Sequence, residues 1–246
     1  VTRWKLTLEY DGAAFCGWQR QDNQPSVQQS LEEAVTAFCK ETPSVQGSGR
    51  TDSGVHALGQ VAHVDIQYPA TGEVVRDALN HFLRNQMVCV HSAEAVPDDF
   101  HARFSAKQRH YWYRLINRRV PLVLEKDRAT RVNGDLKAAP MQEAANLMVG
   151  GIHDFSTFRA AACQSKSPIK TLDSARIETS LDEFHFYFSA RSFLYHQVRN
   201  MVGSLLLVGL GEWSVDDFKR AFEAKDRSKG GPTAPAEGLY FHHVDY

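Results

Sequence analysis

Gly49-Arg50-Thr51-Asp52-Ser53-Gly54-Val55-His56-Ala57 sets one carboxylate and one guanidinium between glycines in an otherwise apolar neighbourhood. Glycines reach φ angles that other residues resist, so the spacing predicts a sharp turn that presents Asp52 instead of hiding it in a strand. The following Val61-Ala62-His63-Val64-Asp65-Ile66 reads as a β-strand. An acid held on a tight loop beside a strand is a common way to fix a reacting group. On these residues alone, an Asp that merely caps its own turn and an Asp that does chemistry stay equally open.

Other chemistries fit the stretch less well. Asp-Ser-Gly occurs in aspartic proteases, but those need two such acids and the chain has one, which leaves only a dimeric protease. A phosphate-cradling loop wants Gly-Lys-Ser/Thr at its end, which is absent here. Asp52, His56 and His63 have no recognisable metal-ligand spacing, and no metal is expected.

The chain of 246 residues can bury a substantial core as one large or two small domains, and its 43% apolar and 23% charged residues are those of a globular protein. No apolar run is long enough to span a bilayer, so no membrane partner is expected. The N-terminal residues lack the apolar core of a signal peptide, and Cys16, Cys39, Cys89 and Cys163 form no Cys-x-x-Cys pair. A reduced, cytoplasmic protein without disulfides or structural zinc is the expectation. Net charge is −1, yet six basic residues (Arg103, Lys107, Arg109, Arg114, Arg118, Arg119) and no acid lie between His101 and Val120, mixed with Phe104, Tyr111, Trp112 and Tyr113. That mixture suits a surface that tracks phosphates and stacks on bases.

Working outward, Trp4, Leu6, Leu8 and Tyr10 alternate with polar residues as a half-buried strand ending at Asp11-Gly12. Ser26 to Gln29 reads as a capping box before a helix with Val27, Leu31, Ala34, Val35 and Phe38 on one face. Val74, Val75, Ala78, Leu79, Phe82 and Leu83 predict a second amphipathic helix, and Val88 to Val96 a strand. Strand character returns over 109–117, near the expected junction of an N-terminal half, 1–105, with a C-terminal half, 106–246. There, Met141 to Met148 predicts a helix, Ile169–Thr179 and Glu183–Arg191 an antiparallel pair, and Leu194–Val208 a long apolar helix. Ser214 and Asp217 cap another helix, and Gly238–Tyr246 closes as a strand. Both halves mix antiparallel strands with helices, the α+β pattern of a sheet covered on one face. No sequence repeat is visible. Arg199 sits in the most apolar helix, where a lone basic residue normally lies on the exposed side; His196, Gln197 and Asn200 beside it offer the other reading, a buried polar stripe in which the Arg needs an anion, with Asp52 the candidate.

Seven stretches, in order, resemble the tRNA pseudouridine synthase A family: Tyr10-Asp11-Gly12 with Gly17 to Gln21, Gly49 to Ala57, Phe100 to Ala106, Tyr111-x-Tyr113, Asp154 to Arg159, Phe193 to Gly203, and Ala236 to Tyr240. Trp112 departs from the basic or polar residue expected there. The resemblance implies two pseudo-symmetric halves forming a continuous, mainly antiparallel eight-stranded sheet, with helices on one face and an active-site cleft between the halves. It also implies a cofactor-free homodimer that converts uridine to pseudouridine in the tRNA anticodon stem-loop. Asp52 matches the catalytic aspartate, and Arg199 the cation that keeps it ionised. Arg50 is expected to face the RNA and hold the space left by a flipped base. Tyr111 would stack on the uracil and Leu239 pack on its other side, while Arg103, Lys107 and Arg109 are expected on the tRNA backbone. A non-catalytic RNA-binding or RNA-chaperone module is the alternative from another class.

Overall fold

In a computed structural model that describes Val1–Tyr246, the opening alternation becomes strand β1, Thr2–Tyr10, with Trp4, Leu6, Leu8 and Tyr10 buried and Glu9 exposed. Helix α1, Val27–Cys39, starts at Ser26, whose hydroxyl accepts from the Gln29 N–H at 3.3 Å. The reciprocal half of the expected capping box is not made, and the Gln29 amide donates to Glu33 at 2.8 Å. Strand β2 is only Gln46–Gly47, and β3 runs His56–Ile66. The strand therefore begins five residues earlier than expected, since His56 and Ala57 are already paired.

Helix α2, Gly72–Leu83, buries Val75, Leu79 and Leu83 on one line of i, i+4 spacing. Full burial of one such side chain stabilises by roughly 1.5–3 kcal/mol. Val74 and Phe82, expected on that face, stay 47% and 44% exposed, so the apolar stripe is narrower than the sequence suggests. Strand β4, Val88–Val96, pairs antiparallel with β1, which pairs antiparallel with β3.

The second unit opens with β5, Gln108–Asn117, joined in parallel by β6, Thr130–Val132. Helix α3, Ala138–Asn146, leads to a small ribbon of β7, His153–Asp154, and β8, Ile169–Lys170. The single strand expected over 169–179 is thus split: β8 joins β7, and β9, Ser174–Ser180, starts after Asp173, whose N–H goes to the Ser189 carbonyl. Strand β10, Glu183–Ala190, lies antiparallel between β9 and β5. Its Phe184, Phe186 and Phe188 are in register with Leu115, Tyr113 and Tyr111, which builds an aromatic core face.

Helix α4, Gln197–Gly209, begins three residues later than expected because His196 takes a left-handed conformation, φ 61°. Helix α5, Val215–Glu223, carries the full reciprocal capping box of Ser214 and Asp217. The last strand, β11, Leu239–Asp245, runs parallel to the start of β3, pairing Tyr240 with His56 and Phe241 with Ala57.

The compact units are Val1–Lys107 with Tyr240–Tyr246, and Gln108–Leu239. The first unit thus combines the N-terminal part with the final seven residues. Besides pairing β11 to β3, they accept the Lys107 N–H on the Asp245 carbonyl at 2.8 Å and donate from the Tyr246 hydroxyl to the Ala102 carbonyl at 2.7 Å. The class is the expected α+β one, with five helices and mainly antiparallel strands. Three of the eleven strands are two-residue segments, which leaves eight longer ones. No helix is long and apolar enough to cross a membrane.

Candidate active site

Asp52 opens a four-residue turn in which the Val55 N–H donates to the Asp52 carbonyl at 3.1 Å, and Gly54, third in the turn, has φ +80°. A hydrogen-bonded turn with positive φ at that position is type II, and only glycine adopts it without strain. The Asp52 side chain is half-buried, Arg50 is exposed, and Thr51, Val55 and His56 are buried on either side. The backbone beside the carboxylate is therefore anchored while the carboxylate keeps access to solvent.

The anchoring comes from three directions. Trp18 donates its N–H to the Thr51 carbonyl at 3.1 Å, and the Ser53 hydroxyl donates to the Phe15 carbonyl at 3.4 Å. Gly17 crosses the loop so closely that a Cβ there would lie 2.7 Å from the Thr51 oxygen, and one on Gly12 would lie 2.1 Å from the Val55 oxygen. These approaches explain why Tyr10-Asp11-Gly12 and Gly17-Trp18 accompany the Asp52 stretch in sequence.

Beneath the loop runs a buried polar chain. The fully buried Gln60 donates its amide to the Gly49 carbonyl at 2.9 Å and to the Tyr10 hydroxyl at 3.5 Å, and accepts from the Ser48 hydroxyl. The Tyr10 hydroxyl in turn lies 2.8 Å from the Thr51 hydroxyl. Burial pushes the Tyr10 phenol up to about 12, against the opposing pull of its bonds to Thr51 and Gln60, so it stays neutral. His56, also buried, stacks on Tyr240 at 4.6 Å and accepts the Gly12 N–H on Nδ1 at 3.0 Å. Gln60 was not singled out by sequence reasoning. The available signal is a lone amide inside the apolar run of β3, where only a satisfied polar group is tolerated.

The second unit holds Tyr111, Arg199 and Leu239. Tyr111, half-buried on β5, meets Phe193 edge-to-face at 5.1 Å. Its neighbour on the same face, Tyr113, is fully buried and bonds to Thr130 and to the Pro235 carbonyl, a structural tyrosine. Arg199 is the third residue of α4, partly buried, with Nε donating to the Ala234 carbonyl at 2.8 Å while the Ala234 N–H returns to the Arg199 carbonyl. This reciprocal tie depends on Gly203, where a Cβ would lie 1.7 Å from the Pro232 oxygen. Asn200, fully buried, accepts from Arg227 and Thr233 and donates to the Phe158 carbonyl, so the polar stripe on α4 is partly a structural hub. Leu239, 5% exposed, begins β11.

The basic residues between His101 and Val120 do not share one face. Arg103 and Lys107 are exposed, with the Arg103 guanidinium 5.8 Å from the ring of the exposed Phe104. Arg109 is 9% exposed and donates to the Arg191 carbonyl at 2.5 Å. Arg114 is bound by Glu183 at 2.6 Å and by Glu125, and these two acids hold its guanidinium firmly protonated. Strand alternation turns successive side chains of β5 to opposite faces, so adjacency in sequence did not mean a common surface.

Comparison with known proteins agrees with this arrangement of motifs. A family model described as tRNA pseudouridine synthase matches residues 7–105 and 144–246. The chain is 56% identical over 246 residues to the tRNA pseudouridine synthase A of Rhodospirillum centenum, with the whole of both chains covered. It is 55% identical over the same length to that of Xanthobacter autotrophicus, again with both fully covered. Against that of Rhodospirillum rubrum, the identity is 54% over this whole chain and 88% of the relative.

Proposed function

The chain belongs to the tRNA pseudouridine synthase family, and from that premise we propose that it isomerises uridine in the anticodon stem-loop of tRNA, with Asp52 as the catalytic carboxylate. The reaction breaks the N1–C1′ bond, turns the uracil and joins C5 to C1′; N1 gains a proton and C5 loses one, so neither redox cofactor nor energy source is required. The observation that carries the proposal is the turn itself. A carboxylate that merely capped its loop would not need its backbone fixed at Gly49, Thr51 and Ser53 by Gln60, Trp18 and Phe15. Holding an acid rigidly at one position is what nucleophilic or proton-transfer catalysis on a bound nucleoside requires.

The remaining roles are part of the same proposal. Tyr111 stacks on the flipped uracil, which is worth about 1–3 kcal/mol and offsets much of the few kcal/mol of unstacking. Leu239 packs on the base, Arg199 provides the positive charge that favours an ionised carboxylate, and the exposed Arg50 engages RNA. Arg103 and Lys107 meet the tRNA backbone. Arg109, grouped with them on sequence, has its guanidinium directed to the Arg191 carbonyl, so we assign it a mainly structural part. Cytoplasmic action as a homodimer completes the reading, supported by the family alone.

Mapping pseudouridine in tRNA incubated with the wild type and with Asp52→Asn tests reaction, position and residue together. The wild type is expected to modify the anticodon arm and the variant to bind tRNA without product. Turnover by the variant would remove Asp52 from the catalytic role, and a wild type that binds tRNA without forming pseudouridine would favour a non-catalytic RNA-binding module.

A further inference from the structure

Away from the Asp52 loop, on the outer face of the β1–β4 pair, Glu9, Cys89 and His91 bring a carboxylate oxygen, a thiol sulfur and an imidazole nitrogen all within 4.8 Å of one another. The backbone makes this convergence. Glu9 is directly opposite Cys89 in the antiparallel register, which fixes their side chains on the same face. Between Leu8↔Val90 and Thr7↔Ser92 the pairing skips a residue, so His91 is the extra residue of a bulge. Bulges re-aim side chains, and here the ring is carried over Glu9, with Nε2 3.0 Å from Oε2.

We propose that Glu9, Cys89 and His91 form a binding site for a zinc-class divalent cation. Thiolate, imidazole and carboxylate together are the donor set of zinc, and three protein ligands leave a fourth tetrahedral position for water. Two adjacent hydrogen-bonded strands supply all three groups, so binding orders little additional backbone. The Glu9 and His91 side chains are about half exposed, at 52% and 49%, which leaves the ion a route in from solvent. Binding displaces the thiol proton of Cys89 to buffer and turns the Glu9–His91 contact into two bonds to one ion. The sequence hides the site: Cys89 and His91 are only two apart on one strand, and Glu9 comes from another strand about eighty residues earlier.

The test uses the full chain, freed of metal, and titrates it with Co²⁺ and with Zn²⁺. Co²⁺ is expected to give a near-ultraviolet thiolate-to-cobalt charge-transfer band at one ion per chain, which Zn²⁺ then displaces. Cys89→Ser is expected to abolish the band, whereas Cys163→Ser leaves it intact. His91→Asn and Glu9→Gln are each expected to weaken Zn²⁺ binding by roughly tenfold or more, at least the effect of losing a partner of a metal ligand. Circular dichroism and melting of the metal-free variants confirm that they are folded. No band, a band that persists in Cys89→Ser, or unchanged Zn²⁺ affinity in folded His91→Asn and Glu9→Gln would each overturn the site.

Discussion

Replacing Gln60 by methionine tests whether the buried chain under the turn holds Asp52 in place. The side chain is of similar length but cannot donate, so the Gly49 carbonyl loses a 2.9 Å hydrogen bond and the Ser48 hydroxyl loses its acceptor. Leaving the carbonyl unsatisfied in a part-buried site costs about 1–3 kcal/mol, and losing the second bond about 0.5–1.5 kcal/mol, for a sum of roughly 1.5–4.5 kcal/mol. For a chain of this length that is a fall in Tm of about 3–18 °C. The loop can then shift, and a displacement near 1 Å at a reacting group costs roughly 100-fold in rate. Single-turnover pseudouridine formation, with tRNA binding measured separately, is therefore expected to show a large fall in kcat and little change in affinity. Combining Gln60→Met with Tyr10→Phe is expected to be non-additive by about 0.5 kcal/mol or more, because both groups belong to one chain of bonds. A folded Gln60→Met enzyme with wild-type kcat would refute the idea that this network positions the carboxylate.

Removing both exposed cations, Arg103→Ala with Lys107→Ala, is expected to weaken tRNA binding and flatten its salt dependence by about 0.7–0.9 per lost phosphate contact; Arg109→Ala is expected to lower Tm more than affinity, and an unchanged salt slope in the double variant would exclude the two cations from the grip. His63 is buried, and that burial, with the nearby His101 and Arg3, lowers its imidazole to about 4. Its folded value lies below the unfolded one near 6.5, so the associated stability is present above about pH 6.5 and is lost as pH falls toward 4, up to about 3 kcal/mol. The urea midpoint should fall between pH 7 and pH 5, less so in His63→Gln; equal midpoints for the wild type would contradict the neutral, buried imidazole.

What the residues told in advance was mostly local. Period-two and period-3.6 patterns located β1, β4, β5, β10 and α1, because burial on one face dictates those patterns directly. Glycine spacing located the Asp52 turn, since Gly54 alone in it takes positive φ. What escaped depends on contacts distant in sequence. Nothing in Ile169–Thr179 reveals that β8 will pair with β7 while β9 pairs with β10. The late start of α4 follows from a left-handed His196, a conformation uncommon for any residue but glycine. The basic-aromatic run looked like one surface until strand alternation and the Glu125 and Glu183 ion pairs divided it. Gln60 shows in the sequence only as a lone amide in an apolar strand; its partners Gly49, Ser48 and Tyr10 are not its neighbours along the chain.

The parallel pairing of β11 with β3 has a consequence for how the protein is made. Translation delivers Gln108–Leu239 between the two parts of the first unit, and at about 5–20 residues per second this delay is on the order of ten seconds. Throughout it, the edge of β3 at His56 and Ala57, immediately after the Asp52 turn, waits on the ribosome without its partner strand, and His56 without the ring of Tyr240. The Asp52 loop is synthesised early, but the strand beside it arrives only after the second unit, so premature chain ends anywhere in that unit yield an Asp52 turn with an open flank.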